Sequence, residues 1–341
     1  MLEVVLALGV PLLIGSTGFW LAIHENHKRV DRWDEAATLL EFEVTDRSRS
    51  YWGLVYLEAR KGAVTIRIAN AGRNRRHAPT RIVLSAQGPP GSAGLRVRRE
   101  STFQPGAREV EIGDGVFDAT FSIEGPARVV AVLLDAQVRD LLTRLNLACS
   151  RVGIIGHEIV VELFDGMIPD VLPLLLDIGE GFIRKLDEPR KHLADNARQD
   201  PEPGVRVFNL RLLARDFPGE PETGEALRSA CADPSPQVRL QAGKSLRAEG
   251  RDVLLDLAER LVDDECSAQA VAALGEGLPS ERAQEVLRAA LRWRRLQTAR
   301  ACVERLGRSG GAAAVDVLAR VLAREEGEVA VAAALALGEI G

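Results

Sequence analysis

The chain has 341 residues, enough for two or three domains, with 46% hydrophobic, 27% charged and 4% aromatic residues and a net charge of -5. That composition excludes a disordered polymer, and the acidic balance argues against sequence-independent nucleic-acid binding, which needs neutralisation of phosphates. Charge is unevenly spread: residues 24–110 carry 16 Lys+Arg against 10 Asp+Glu, and residues 111–341 carry 28 against 38.

The first element is apolar. Residues 4–23 read VVLALGVPLLIGSTGFWLAI, without a charge. At about 1.5 Å per residue, such a stretch is long enough to cross a hydrocarbon core of about 30 Å. A cleaved signal peptide and a buried soluble helix are the alternatives. The leader Met-Leu-Glu lacks the basic flank of a signal peptide, and no A-x-A cleavage pattern follows. The expectation is a transmembrane anchor over 1–23. Lys28, Arg29 and Arg32 follow it, which puts the amino terminus outside and the rest in the cytoplasm, at the inner membrane.

Residues 24–39 are predicted as a juxtamembrane helix, followed by an α+β domain over 40–186. Strand patterns run over 40–44, 51–59, 63–69, 80–86, 95–99 and 119–124, separated by Gly/Pro/Asn clusters. Apolar spacing predicts a helix over 126–147, one or two strands over 153–165, and a second helix over 169–186. The stretch IGDGVFDATFSIEGPARVVAVLLDAQVRDLLTRL, with Gly113, Asp114, Phe117, Asp118, Phe121, Leu133, Leu134, Leu141 and Leu142, resembles a domain of bacterial membrane-anchored proteins of unknown function. The resemblance covers roughly residues 30 to 190. It implies a membrane-tethered context, often with helical repeats behind, and no activity.

Within this domain Asp114 and Asp118 flank Phe117. They read as a turn aspartate and one at the start of a strand, with a metal or acid–base role as the alternative. His24 and His27 are three apart, so they do not form H-E-x-x-H, and His157 reads as part of a strand face. There is no P-loop, G-x-G-x-x-G or G-x-S-x-G, and no cofactor is expected. Arg73, Arg75, Arg76 and Arg81 concentrate positive charge. They are candidate contacts for anionic lipid headgroups, each close charge contributing about 1 kcal/mol; a solvated arginine-rich surface is the plain alternative.

Residues 187–204 read as a polar linker with a short helix. From 205 the chain repeats itself. Second-helix anchors fall at Val205, Val238, Cys266, Thr298 and Val329, and a leucine follows eight residues after each: Leu213, Leu246, Leu274, Leu306 and Leu337. The steps are 33, 28, 32 and 31 residues, the signature of stacked helical hairpins. In DPSPQVRLQAGKSL, Asp233 and Pro234 break the first helix, Val238 and Arg239 open the second, and Ala242 and Leu246 are packing positions. This segment resembles the turn and second helix of HEAT repeats; the third repeat lacks the D-P turn and the Val-Arg pair. The four cysteines, Cys149, Cys231, Cys266 and Cys302, have no C-x-x-C spacing and read as free core thiols. The final repeat lacks a polar cap, so a fragment of a longer chain is expected.

The fold class that follows is multi-domain: a transmembrane helix, an α+β domain and an α-α superhelix of the HEAT/armadillo-like kind over 205–341. The function that follows is a membrane-anchored, non-catalytic scaffold that binds a protein partner through its repeats. Arg239, Gln241 and Lys244, or Arg292, Arg294 and Arg295, are candidate contacts. An anionic-lipid sensor and an enzyme akin to bilin lyases, which some HEAT-like proteins resemble, are the alternatives.

Overall fold

The computed structural model describes residues 24–49, 55–70, 79–86, 94–100 and 109–340. The chain divides into two compact units, Met1–His192 and Leu193–Gly341. The first holds a β-sheet and the second is helical. The fold class expected from the sequence is corrected in its first element. Residues 4–23 lie outside the described residues, and among those residues no helix is long and apolar enough to cross a membrane. The longest described helix, α5 (Ile168–Asp187, 20 residues), carries Asp170, Asp177, Glu180, Arg184 and Lys185, too many charges for a span.

The first unit opens with helix α1 over 24–39, whose Trp33 is fully buried. An antiparallel sheet of eight strands follows, in the order β1-β2-β3-β4-β8-β7-β5-β6. The strands are β1 (Glu43–Arg49), β2 (Val55–Lys61), β3 (Val64–Asn70), β4 (Thr80–Ala86), β5 (Arg96–Arg99), β6 (Phe121–Glu124), β7 (Arg151–Ile155) and β8 (Glu158–Leu163). Because side chains alternate along a strand, register places one buried row across the sheet. It runs Ile66, Leu84, Ile159, Ile154, Val97, Ile123. Helix α5 lies on this side, and Gly179 permits its approach: a Cβ there would stand 2.5 Å from Leu84 Cδ2. On the opposite side several register pairs are charged, with Glu58 across from Arg67 and Glu162 across from Arg81 and Arg151, while Val83 meets the buried Val160.

Three local expectations for this unit are revised. GVFDAT forms helix α2 (Gly115–Thr120), because Asp114 caps it by accepting from the Phe117 N–H at 3.1 Å. The strand predicted over 119–124 therefore shrinks to β6. The helix predicted over 126–147 is two helices, α3 (Ala127–Leu133) and α4 (Ala136–Ala148). Asp135 caps α4 through the Val138 N–H at 3.0 Å and holds Lys185 Nζ at 2.5 Å. His157 is exposed in the turn between β7 and β8, where Gly156 takes φ +63°.

The second unit is a solenoid-like run of short helices. The boundary between units falls within α6 (Pro189–Gln199), so the stretch expected to link the domains contains a helix that buries Leu193, Ala194 and Ala197. Then come α7 (Pro203–Asp216), α8 (Pro221–Ala230), α9 (Pro236–Leu246), α10 (Arg251–Arg260) and α11 (Asp264–Leu274). The last four are α12 (Ser280–Arg292), α13 (Leu296–Ser309), α14 (Ala312–Arg324) and α15 (Glu328–Ile340). Proline opens α7, α8 and α9, where a missing N–H costs nothing. The five repeat anchors, Val205, Val238, Cys266, Thr298 and Val329, are at most 4% exposed. Leu213, Leu274 and Leu306 are buried, while Leu246 and Leu337 are half-buried.

Each hairpin packs α8 on α9, α10 on α11, α12 on α13 and α14 on α15. Successive hairpins meet mainly through their second helices at α7–α9, α11–α13 and α13–α15, while α9 is met by both α10 and α11. Small residues allow this: a Cβ on Gly307 of α13 would lie 2.7 Å from Ala336 Cβ of α15. Close second helices with first helices held farther apart give the array an inner side made of second helices.

Candidate partner-binding face of the helical unit

The inner side carries a polar ladder of two rungs, one joining α7 to α9 and one joining α9 to α11. Arg211 sits six residues after its anchor on α7, and its Nε donates to Gln241 Oε1 on α9 at 3.0 Å. Lys244 sits six residues after its anchor on α9, and its Nζ donates to Gln269 Oε1 on α11 at 2.8 Å. The rung therefore runs from position six of one second helix to position three of the next. The amide nitrogens are held too: Gln241 Nε2 donates to Ser245 Oγ at 3.0 Å and Gln269 Nε2 to Glu265 Oε1 at 3.1 Å. These side chains line a groove of ≈ 200 Å³ together with Gly204, Val207, Leu240 and Cys266. Burial, with the Arg211 charge nearby, moves the Lys244 ammonium below its ordinary pKa.

Beyond α11 the ladder changes character. Position six becomes Ala272, then Glu304, then Leu335. Glu304 receives Arg300 Nε at 3.0 Å within α13, and Leu335 and Val331 of α15 are exposed. The same surface is thus cationic and amide-rich at α7–α11 and apolar at α15.

Of the residues singled out from sequence, Gln241 and Lys244 come together on this face. Arg239 does not face it freely: its Nη1 donates to the carbonyls of Asp233 at 2.8 Å and Pro234 at 3.2 Å, bracing its own turn. Arg292, Arg294 and Arg295 sit at the turn between α12 and α13. Arg292 lies 5.7 Å from the Trp293 ring centroid, and Arg294 Nη1 stands 4.0 Å from Glu325 Oε2. Arg73, Arg75 and Arg76 lie outside the described residues, and Arg81 is exposed on β4.

Sequence reasoning missed Arg211 and Gln269, and it missed Arg206. The Arg206 guanidinium grips Asp233 of the next hairpin through two bonds of 2.9 and 2.8 Å. Its Nη1 also donates to the Asp200 carbonyl at 2.8 Å, as Arg239 does to Asp233. The signal was present: DPEPGVR at 200–206 duplicates DPSPQVR at 233–239, so the first repeat begins before Val205.

Chemistry is sparse elsewhere. A cavity of ≈ 470 Å³ in the first unit is lined by Glu109, Glu111 and Asp118. Asp118 accepts the N–H groups of Ile112 at 3.2 Å and Gly113 at 2.9 Å, and Glu109 accepts from Ser122 Oγ at 2.8 Å. Asp118 thus ties the Ile112–Gly113 turn to α2, and Glu109 ties its segment to β6. Among the described residues no His/Cys/Asp/Glu group could hold a metal ion. All four cysteines are free thiols; burial pushes Cys149 up to about 11 and Cys302 up to about 12, which makes poor nucleophiles of them. No protein-family model matches the chain, and no curated protein is similar to it.

Proposed function

We propose that the helical unit is a HEAT-like array that acts as a non-catalytic scaffold, holding an extended segment of a partner protein along its second helices. The observation that supports this is the ladder of Arg211, Gln241, Lys244 and Gln269, in which each rung joins neighbouring hairpins. Helices packed at about 8–10 Å match the rise of about three extended residues. Successive rungs therefore meet carbonyls or carboxylates of one strand-like segment at a regular interval. Binding would exchange internal ladder bonds for bonds to the partner, so specificity rests on geometry more than on buried area.

The test is site-specific photo-crosslinking in cells with a photoreactive residue at Gln269, compared with the same residue at exposed Arg260 on α10. The expected result is a discrete adduct from position 269 alone, lost on Lys244→Glu. The same adducts from both positions, or none from 269, would refute the reading.

A further inference from the structure

A second surface of the helical unit is built for a different kind of ligand. The close approach of α13 and α15 at Gly307 and Ala336 leaves α12 and α14 standing apart, and a groove of ≈ 410 Å³ opens between these first helices. Its floor is Leu287 and Val321, both buried, with Leu291 and Val317 half-exposed beside them. Arg288 on α12 and Arg320 and Arg324 on α14 stand exposed along it.

These arginines differ from their counterparts in the other gaps. Between α6 and α8, Arg198 faces Glu225 at 3.9 Å. Arg228 of α8 faces Glu249, just before α10, at 4.0 Å. Between α10 and α12, Arg282 meets Glu259 at 3.1 Å. Exposed pairs of this kind stabilise little, but they show charge matched across each gap. Between α12 and α14 no pair of that kind occurs among the described residues. Arg288 Nε and Arg320 Nε donate only to carbonyls of their own helices, Gln284 at 3.3 Å and Asp316 at 3.1 Å. The one carboxylate lining the groove, Glu325, faces Arg294 of the α12–α13 turn.

We infer that the α12–α14 groove docks an acidic amphipathic helix from a partner protein. The apolar residues Val317 and Val321 and the cations Arg320 and Arg324 each repeat at i, i+4, so they form adjacent stripes along α14. A ligand helix with the same spacing sets its apolar stripe on the floor and its carboxylates against the arginines, the helix-in-groove mode of recognition. Charge complementarity selects this occupant over a basic or neutral helix. A flat anionic surface such as a bilayer would meet the arginines but leave the floor uncovered.

The test uses the full chain and a fluorescein-labelled helical peptide of about five turns, with leucines on one stripe and glutamates flanking it, read by fluorescence anisotropy. Saturable binding is expected, weakened by added salt and weakened about tenfold or more by Arg320→Glu with Arg324→Glu. The milder Arg320→Ala with Arg324→Ala pair should weaken it less, and circular dichroism should show both variants folded. Lys244→Glu, on the inner side, should leave it unchanged, which separates failure here from failure of the scaffold reading. Absence of saturable binding overturns the proposal. So does equal affinity for a lysine-flanked peptide, indifference to the charge reversal, or a reversal-sensitive association with phosphatidylserine vesicles in place of the peptide.

Discussion

Arg206 and Asp233 show how one residue pair ties two repeats. Their side chains are 9% and 10% exposed, and the paired bonds satisfy a charge that would otherwise be stranded. The same Asp233 caps its own turn by accepting the Ser235 N–H at 2.8 Å. Asp233→Ala removes both and leaves the guanidinium buried with carbonyls alone, so a loss of about 3 kcal/mol is expected. Urea unfolding would measure it; a loss no larger than that of Glu259→Ala, whose pair with Arg282 is exposed, would contradict this account. At this scale the sequence was partly legible. Asp233, Pro234 and Val238 were readable as a repeat turn because proline and a small polar residue punctuate a helix. The matching Asp200 and Pro201 read as linker, because the polar run before them hides Leu193, Ala194 and Ala197, which α6 buries.

Helices in this protein are set by their ends and by their smallest residues. The apolar period over 126–147 continues unbroken, so periodicity alone predicts one helix. Asp135 breaks it because its carboxylate caps the second segment and binds Lys185, a contact from α5 that no local pattern reveals. Gly307 makes the complementary point. In an exposed helix, Gly→Ala gains about 1 kcal/mol. Here the added methyl would meet Ala336 Cβ at 2.7 Å, and overpacking costs about 1–3 kcal/mol. Gly307→Ala should therefore destabilise the helical unit by about 1 kcal/mol, and Ala336→Gly in the same chain should restore part of the loss. Thermal melts of the single and double variants decide it; a stabilised Gly307→Ala would show that α13 and α15 are not packed through this contact.

At the scale of the molecule, the order of parts was legible: strands at a period of two, then hairpins at a period near 30, each period reporting its own mode of burial. The ladder and the α12–α14 groove were not, since both join residues about 25 to 36 positions apart whose pairing depends on how hairpins stack. The chain divides into two compact units, and domains that are compact in themselves unfold on their own terms. Arg139 lies in the first unit, 4% exposed, with its Nε on Asp114 at 2.8 Å and its Nη1 on the Leu134 carbonyl at 3.0 Å. Removing it leaves Asp114 with the Phe117 N–H as its partner and takes a buried side chain out of α4. Asp233→Ala acts wholly within the second unit. Differential scanning calorimetry of the full chain should therefore resolve two transitions, with Arg139→Ala lowering one and Asp233→Ala the other. The combined variant should lower each transition by the shift of its own single variant, as independent distant sites do. One transition moved by either change would mean that the sheet and the helices fold as a single cooperative body.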